Sequence, residues 1–187
     1  MISLAILASH NGSGFDAIYE AIEAKLLDIK IELVISNNPN AKVIEKANAR
    51  SISSYIINTS TDENPNEKIH NLIKAHQCDY IFLSGYMKKL SPLLTNNFKI
   101  INSHPALLPK FGGPGMYGRF VHEAVLSTNE SVSGVTIHEV NEFYDEGKII
   151  LQKELQINKN ETIESLENRI KDLETTAIVE ALKLCLK

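Results

Sequence analysis

The sequence predicts an α/β fold, with a doubly wound, mostly parallel sheet that carries helices on both faces. Short apolar runs alternate with amphipathic stretches through residues 2–101. Strands that alternate with helices pair in parallel, because each helical connection returns the chain across the sheet. Two strand-like segments that follow each other late in the chain add an antiparallel pair, and the chain then continues into one long amphipathic helix.

The strands of the first half are predicted from runs that are largely apolar, as in buried strands. They are Ile2–Ala8, Ile31–Ile35, Tyr55–Ile57, Tyr80–Leu83 and Ile100–Ile101. The helices between them are predicted from apolar residues three or four positions apart. They comprise a helix with the stripe Phe15, Ile18, Ile22 and Leu26, helices at Lys42–Ala49 and Glu67–Ala75, and a short helix that Ser91 caps and Pro92 opens.

The second half begins with a long loop, His104–Tyr117, which contains three prolines and three glycines. Long loops in compact domains are usually functional. A helix at Arg119–Leu126 follows, then the two late strands, Val132–Val140 and Ile149–Ile157. The last helix is predicted from an apolar stripe that starts at Ile163, with Thr162 as its cap.

Length and composition narrow the class of protein. The 187 residues suit a single domain that spans the chain, and the net charge of −4 argues against non-specific nucleic-acid binding. No apolar run approaches the roughly 18 residues of a membrane span, and the N-terminus lacks a basic signal-peptide region. Cys78 and Cys185 lie outside any CxxC motif and suggest reduced, buried thiols. We expect a cytoplasmic monomer or weak homodimer that binds neither nucleic acid nor membranes.

The turn that follows the first strand is the first candidate site. It reads Ser9-His10-Asn11-Gly12-Ser13-Gly14 and leads into a helix. A helix N-terminus offers free N–H groups and partial positive charge, which suit a phosphate. Gly12–Ala17 also fits the loose dinucleotide pattern GxGxxA, but no acidic residue ends the second strand. A phosphate site is favoured over a dinucleotide site and over a turn that only connects strand and helix.

Asn102 and His104 form the second candidate site. Side chains two residues apart in an extended chain point to the same side, so Asn102 and His104 share one side where a strand leaves the sheet. An Asn amide can donate to a developing oxyanion, and a protonated His can do the same or move a proton. Local chemistry leaves a structural and a catalytic role equally open. Asp145 lies in a surface connection, where most acids are only solvated, and the remaining histidines form no metal-binding motif.

Four segments, in order, resemble the folate-dependent glycinamide ribonucleotide formyltransferases. They are SHNGSGFDAI, SGYMKKLSP, INSHPALLPKFGGPGMYGRFVHEAVL and GVTIHEVNEFYDEGKIILQ. They resemble, respectively, the family's phosphate turn, its folate-side segment, its active-site stretch and the segment with its catalytic aspartate. The matches keep order and spacing across nearly the whole chain.

The resemblance implies roles for individual residues. Asn102, His104 and Asp145 would be the catalytic trio. The phosphate of the ribonucleotide would bind to Asn11, Gly12, Ser13 and Gly14, and its sugar to Glu174. The cosubstrate 10-formyltetrahydrofolate would bind to Met87, Lys88, Lys89 and Leu90, largely through backbone groups, and to Asn102; no metal is implied.

The chain departs from the family pattern at four positions. His10 and Gly14 replace a Gly and an Asn of the phosphate turn, and Lys89 stands where an apolar residue is usual. Pro114 replaces a Lys within the Gly-rich loop Phe111–Gly118. A basic residue that contacts folate in the family has no secure counterpart, with Lys68 as one candidate. Formyl transfer is therefore better supported than the ribonucleotide as its acceptor.

The implied reaction is attack by the glycinamide amine on the formyl carbon of the folate. Asn102 and a protonated His104 would stabilise the oxyanion, and Asp145 would keep His104 charged. Proton transfer could pass through His104 or through a water held by Asp145. The rivals are a formyl-folate hydrolase, expected to carry an extra N-terminal domain, and a methionyl-tRNA formyltransferase, expected to carry a C-terminal RNA-binding domain. A non-catalytic nucleotide-binding module and an NAD-dependent oxidoreductase are rivals of a different class.

Overall fold

Strands and helices alternate along the chain much as the apolar runs predict, and the computed structural model describes residues 1–186. The elements are β1 (Ile2–Leu7), α1 (Ser13–Glu23), β2 (Ile29–Ser36), α2 (Lys42–Ala49), β3 (Ser53–Ile56), α3 (Pro65–Ala75), β4 (Tyr80–Leu83), α4 (Pro92–Thr95), β5 (Lys99–His104), α5 (Arg119–Ser127), β6 (Val132–Glu139), β7 (Ile149–Gln156) and α6 (Ile163–Cys185). The seven strands have the order β3-β2-β1-β4-β5-β6-β7 in one mixed sheet. The predicted α/β class is confirmed.

The chain divides into two compact units, Met1–Ile101 and Asn102–Lys187. In the first unit, β1 pairs in parallel with β2 on one side and with β4 on the other, and β2 pairs in parallel with β3. The strand order therefore reverses between β1 and β4. In open α/β sheets, ligands bind outside the carboxyl ends of the strands at such a reversal. The turn after β1 lies at this point.

In the second unit, β6 and β7 form the predicted antiparallel pair, from Val132 opposite Gln156 to His138 opposite Ile149. The register shifts between Ile137 and His138, an irregularity of the kind that re-aims side chains beside active sites. The long helix α6 packs against both strands and against α5. The predicted cap is confirmed, because the Thr162 hydroxyl accepts a hydrogen bond from the Ser165 N–H at 3.1 Å.

Three sequence predictions differ from the structure in detail. α1 ends at Glu23, because Lys25 adopts a left-handed φ of 58°, so Leu26 leaves the apolar stripe and is 54% exposed. β5 continues through His104 rather than ending at Ile101. Ser91 occupies the predicted cap position of α4, but its buried hydroxyl has no hydrogen-bond partner within residues 1–186.

The two cysteines are free thiols, with Cys78 buried and Cys185 partly buried. Burial raises the pKa of the Cys78 thiol to about 12, so this thiol is protonated and unreactive at neutral pH. Of the helices in residues 1–186, none combines the length and the apolar character that crossing a membrane requires.

Candidate active site

The turn after β1 depends on Gly12. This residue adopts a left-handed φ of 65°, and a Cβ there would lie 2.4 Å from Val43 Cγ2 of α2. Asn11 and Ser13 are exposed, whereas Gly14 is buried. The Gly14 N–H donates to the Ser84 hydroxyl at 3.0 Å. The structure thus gives the Gly14 N–H an acceptor within the protein and leaves Asn11 and Ser13 accessible to a ligand.

Ser9 joins this turn to the segment that begins at Met87. The Ser9 hydroxyl accepts from the Met87 N–H at 2.7 Å and donates to Asn37 Oδ1 at 2.5 Å. The Ser9 N–H donates to the Gly85 carbonyl at 3.2 Å. The structure therefore brings together, in the first unit, the residues predicted to bind phosphate and those predicted to bind folate.

The predicted folate segment is exposed except at its end. Met87, Lys88 and Lys89 are exposed, while Leu90 is 7% exposed, so the Leu90 side chain belongs to the core. Lys68, the candidate folate-binding cation, forms an ion pair with the Asp62 carboxylate at 2.5 Å. A role for Lys68 in folate binding would require this pair to open.

His104 is buried at the end of β5, with 3% of its surface exposed. Its Nε2 lies 2.7 Å from the Phe111 carbonyl oxygen. Because a carbonyl oxygen only accepts, Nε2 carries the proton in this contact. Its Nδ1 faces Asp145, whose Oδ2 lies 3.7 Å away. In the neutral ring, Nδ1 is therefore the nitrogen that can receive a proton.

Asn102 binds a second histidine that sequence reasoning missed. Asn102 Nδ2 donates to His138 Nε2 at 3.1 Å, and His138 Nδ1 donates to the Glu139 carbonyl at 2.8 Å. His138 Nε2 also lies 3.6 Å from Asp145 Oδ1. The sequence indicates His138 only weakly, as a polar residue near the end of an apolar strand. The second unit thus brings Asn102, His104 and Asp145 together around His138.

Asp145 is held in place by the long loop His104–Tyr117, which the sequence predicts to be functional. Asp145 adopts a left-handed φ of 57°, and its Oδ2 accepts from the Gly113 N–H at 2.9 Å. A Cβ at Gly112 would lie 3.1 Å from Asp145 Cβ and 2.5 Å from Leu108 Cδ2. Glycine at position 112 therefore allows the loop to pack closely against Asp145.

Burial controls the charge of both histidines. It lowers the pKa of His104 below its usual 6.5, while the Asp145 carboxylate acts in the opposite direction without overcoming it. Burial likewise lowers the pKa of His138. The sequence led us to expect that Asp145 keeps His104 charged. The structure instead favours a neutral His104 at pH 7, because desolvation of the imidazolium outweighs its attraction to the carboxylate.

Glu174 lies on α6 and contacts β5. The Ser103 hydroxyl donates to Glu174 Oε1 at 2.5 Å. Burial raises the pKa of Glu174, and the bond from Ser103 opposes this rise. Because alternation places Ser103 on the opposite side of β5 from Asn102 and His104, Glu174 does not join the histidine cluster.

We expect acidification to destabilise the fold. Burial lowers the pKa of His104, His122 and His138, so the unfolded chain binds more protons below pH 6.5. Their contribution is complete above pH 6.5 and is lost as the pH falls through the folded-state pKa values. Glu174, with its raised pKa, acts in the opposite direction. Thermal unfolding should therefore give a Tm that falls from pH 7 to pH 5.

His122→Gln provides the control for this prediction, because His122 Nδ1 is buried without a hydrogen-bond partner among the described residues. The variant should show a smaller drop in Tm over the same interval. A Tm that stays constant or rises on acidification would contradict the assignment of these histidines as neutral.

No group of three or more His, Cys, Asp or Glu side chains within residues 1–186 has an arrangement that could hold a metal ion. The cluster around Asp145 combines an amide donor, two imidazoles whose pKa values burial lowers, and one carboxylate. This set can donate to a developing negative charge and can accept and return a proton.

Comparison with known proteins places these features in context. The Formyl transferase family model matches residues 2–182. The chain is 36% identical to the phosphoribosylglycinamide formyltransferase of Bacillus subtilis over 179 residues, which cover 93% of this chain and 89% of the relative. The structure is similar to that of the phosphoribosylglycinamide formyltransferase of Streptococcus pneumoniae, with a TM-score of 0.88, 31% identity and full coverage of both chains.

A structure with a different named activity shares the fold. The formyltetrahydrofolate deformylase of Pseudomonas syringae pv. tomato is 24% identical, with a TM-score of 0.87, and the match covers 97% of this chain and 60% of that one. At this identity the likeness concerns the fold alone.

Proposed function

The chain belongs to the phosphoribosylglycinamide formyltransferase family, and on that premise we propose that it transfers the formyl group of 10-formyltetrahydrofolate to 5'-phosphoribosylglycinamide in purine biosynthesis. The observation that carries the proposal is the cluster in which Asp145 lies 3.7 Å from His104 Nδ1 and 3.6 Å from His138 Nε2, while Asn102 donates to His138. An oriented amide donor beside a proton acceptor is what acyl transfer to an amine requires.

The proposed reaction forms one bond and breaks another. The amine nitrogen attacks the formyl carbon, which becomes tetrahedral with a negative charge on its oxygen. The bond between that carbon and the folate nitrogen then breaks, the amine loses a proton and the folate nitrogen gains one. The products are the N-formyl ribonucleotide and tetrahydrofolate.

Asn102 acts on the oxyanion. Its Nδ2 carries two hydrogens, and only one is donated to His138 Nε2. The second N–H donates to the oxygen as its charge develops. The bond to His138 fixes the orientation of the amide, so the donor is in place before the reaction begins.

His104 carries the proton. Its Nδ1 accepts the proton from the attacking amine, and the imidazolium that forms is stabilised by Asp145 at 3.7 Å. His104 then returns the proton to the departing folate nitrogen. The low pKa of His104 suits both steps, because a neutral ring accepts the first proton and a buried imidazolium readily releases it.

Binding roles follow the family pattern. Asn11, Gly12 and Ser13 hold the phosphate, whereas the Gly14 N–H is already donated to the Ser84 hydroxyl and offers the phosphate no donor. Glu174 holds the sugar, and the folate is held by Met87, Lys88, Lys89, Leu90 and Asn102. The exposure of Asn11 and Ser13 and the N-terminal end of α1 support the phosphate role. The chain acts as a single formyltransferase domain, as a monomer or weak homodimer in the cytoplasm, and needs no metal, nucleic acid or membrane.

The experiment that tests this proposal mixes the protein with 10-formyltetrahydrofolate and follows tetrahydrofolate release with and without glycinamide ribonucleotide. Release that requires the ribonucleotide is the expected result. Release that does not depend on the ribonucleotide would identify a formyl-folate hydrolase instead. No release in either mixture would contradict both activities and leave a non-catalytic binding module.

A further inference from the structure

Lys46 of α2 and Arg50, the residue directly after α2, converge on one acid in the first turn of α1. Lys46 Nζ bonds to Asp16 Oδ2, and Arg50 Nη1 lies 2.8 Å from Asp16 Oδ1. The Arg50 guanidinium also lies over the Tyr19 ring, 4.3 Å from its centroid. The three charged side chains are one quarter to one third exposed, so packing restricts them. Two cations against one carboxylate leave an excess of positive charge beside the turn.

Lys46 makes a further contact, with the backbone of the turn. Its Nζ donates to the Asn11 carbonyl oxygen at 2.8 Å. That carbonyl shares a planar trans peptide with the Gly12 N–H, so the two groups point in opposite directions. By holding the carbonyl, Lys46 aims the Gly12 N–H away from α2.

The preceding peptide is held in the same way. The Val43 N–H of α2 donates to the His10 carbonyl at 3.2 Å, which turns the Asn11 N–H outward. Two successive carbonyls thus face α2, and neither the Asn11 N–H nor the Gly12 N–H has an acceptor among residues 1–186. Successive outward N–H groups in a turn form a concave anion-binding site.

We propose that Lys46 is a positioning residue for phosphate binding. It orients the Gly12 N–H through the Asn11 carbonyl and supplies the positive charge that Asp16 only partly neutralises. This inference rests on the proposed function for the identity of the ligand, the phosphate of the ribonucleotide. It assigns Lys46 no contact with the reacting atoms.

The test compares Lys46→Met, which keeps an unbranched side chain without the charge and the donor, with Lys46→Arg, which keeps both. Lys46→Met is expected to raise the KM for glycinamide ribonucleotide on the order of tenfold, since a hydrogen bond to a charged group is lost. The kcat and the KM for 10-formyltetrahydrofolate should stay within about twofold, since neither depends on the phosphate. Lys46→Arg should recover most of the loss.

Lys30→Met is the matched control, because Lys30 pairs with Glu32 on β2 at 2.8 Å and lies beside Ser3, at the start of β1, whereas the turn follows the end of β1. It should leave all kinetic constants unchanged. An unchanged KM for the ribonucleotide in Lys46→Met would overturn the inference. So would an equal loss of affinity, measured by calorimetry, for the ribonucleotide and for its dephosphorylated ribonucleoside.

Two further measurements keep this inference separate from the proposed function. If the wild-type protein shows no ribonucleotide-dependent turnover, the proposed function fails. Calorimetry with inorganic phosphate then tests Lys46 alone, and equal affinity of wild type and Lys46→Met would overturn the inference.

If Lys46→Met does not fold, Asp16→Asn serves instead, because it removes a negative charge and keeps the hydrogen bond from Lys46 to the Asn11 carbonyl. Asp16→Asn should bind phosphate at least as tightly as wild type, and weaker binding would contradict the role of the positive charge.

Discussion

Replacing Asn102 with alanine is expected to lower kcat by about 10²–10³-fold, the usual cost of removing one oxyanion donor. One N–H of its amide is bound to His138 and the other is left for the oxyanion. Because this second bond forms only as charge develops, the KM for the ribonucleotide should change little. Asn102 is only partly buried at the end of β5, so the Tm should stay close to that of wild type.

A second substitution at Asn102 and a control variant test whether the amide N–H donor of Asn102 is responsible. Asn102→Asp keeps the shape of the side chain but replaces the N–H donor with an acceptor, and it should lose at least as much activity. Asn97→Ala is the control, because exposed Asn97 donates to the Leu93 carbonyl at 2.9 Å in the first unit. Near-normal turnover in Asn102→Ala or Asn102→Asp would contradict the role of this amide.

Asp145→Asn is expected to lower kcat by a similar factor, on the order of 10²–10³. Asparagine tolerates the left-handed φ of 57° at this position and can still accept from the Gly113 N–H, so the loop should keep its conformation. What is lost is the carboxylate 3.7 Å from His104 Nδ1, which in the proposed mechanism stabilises the imidazolium. Glu146→Gln, at an exposed neighbouring acid, is the control and should leave kcat unchanged.

The pH dependence of kcat/KM gives Asp145→Asn a second readout. The Asp145 carboxylate raises the pKa of His104 against the larger effect of burial. Removing the charge lets the pKa of His104 fall further, and the proposed mechanism requires His104 as a neutral acceptor. The acidic limb, which lies below pH 6.5 in wild type, should therefore move to lower pH. A limb that stays in place or moves upward would show that Asp145 does not act through His104.

Strand and helix positions follow from the sequence because apolar runs must be buried whatever their partners. β4 and α2 begin and end where the sequence predicts. The errors arise where one residue decides the boundary. Lys25, with its left-handed φ, ends α1 before Leu26, and no periodicity signals that conformation.

The proposed catalytic cluster could be predicted only in part. Asn102 and His104 are two apart on one strand, so alternation pairs them. His138 belongs to another strand, 36 residues away from Asn102, and meets it only through folding. Asp145 was predicted to be catalytic only from the family resemblance. An acidic residue in a surface connection does not by itself indicate a catalytic role. The neutrality of His104 depends on burial, which the sequence does not quantify.

The central claim is that the formyl group passes to the amine of the ribonucleotide at the cluster of Asn102, His104 and Asp145. The most direct measurement supplies folate with an isotopically labelled formyl carbon and locates the label by mass spectrometry. Wild-type protein should place the label in the N-formyl ribonucleotide, with one tetrahydrofolate released per product, and Asn102→Ala should do so at least about 10²-fold more slowly. Label found as free formate, or transfer at the wild-type rate in Asn102→Ala, would contradict the account.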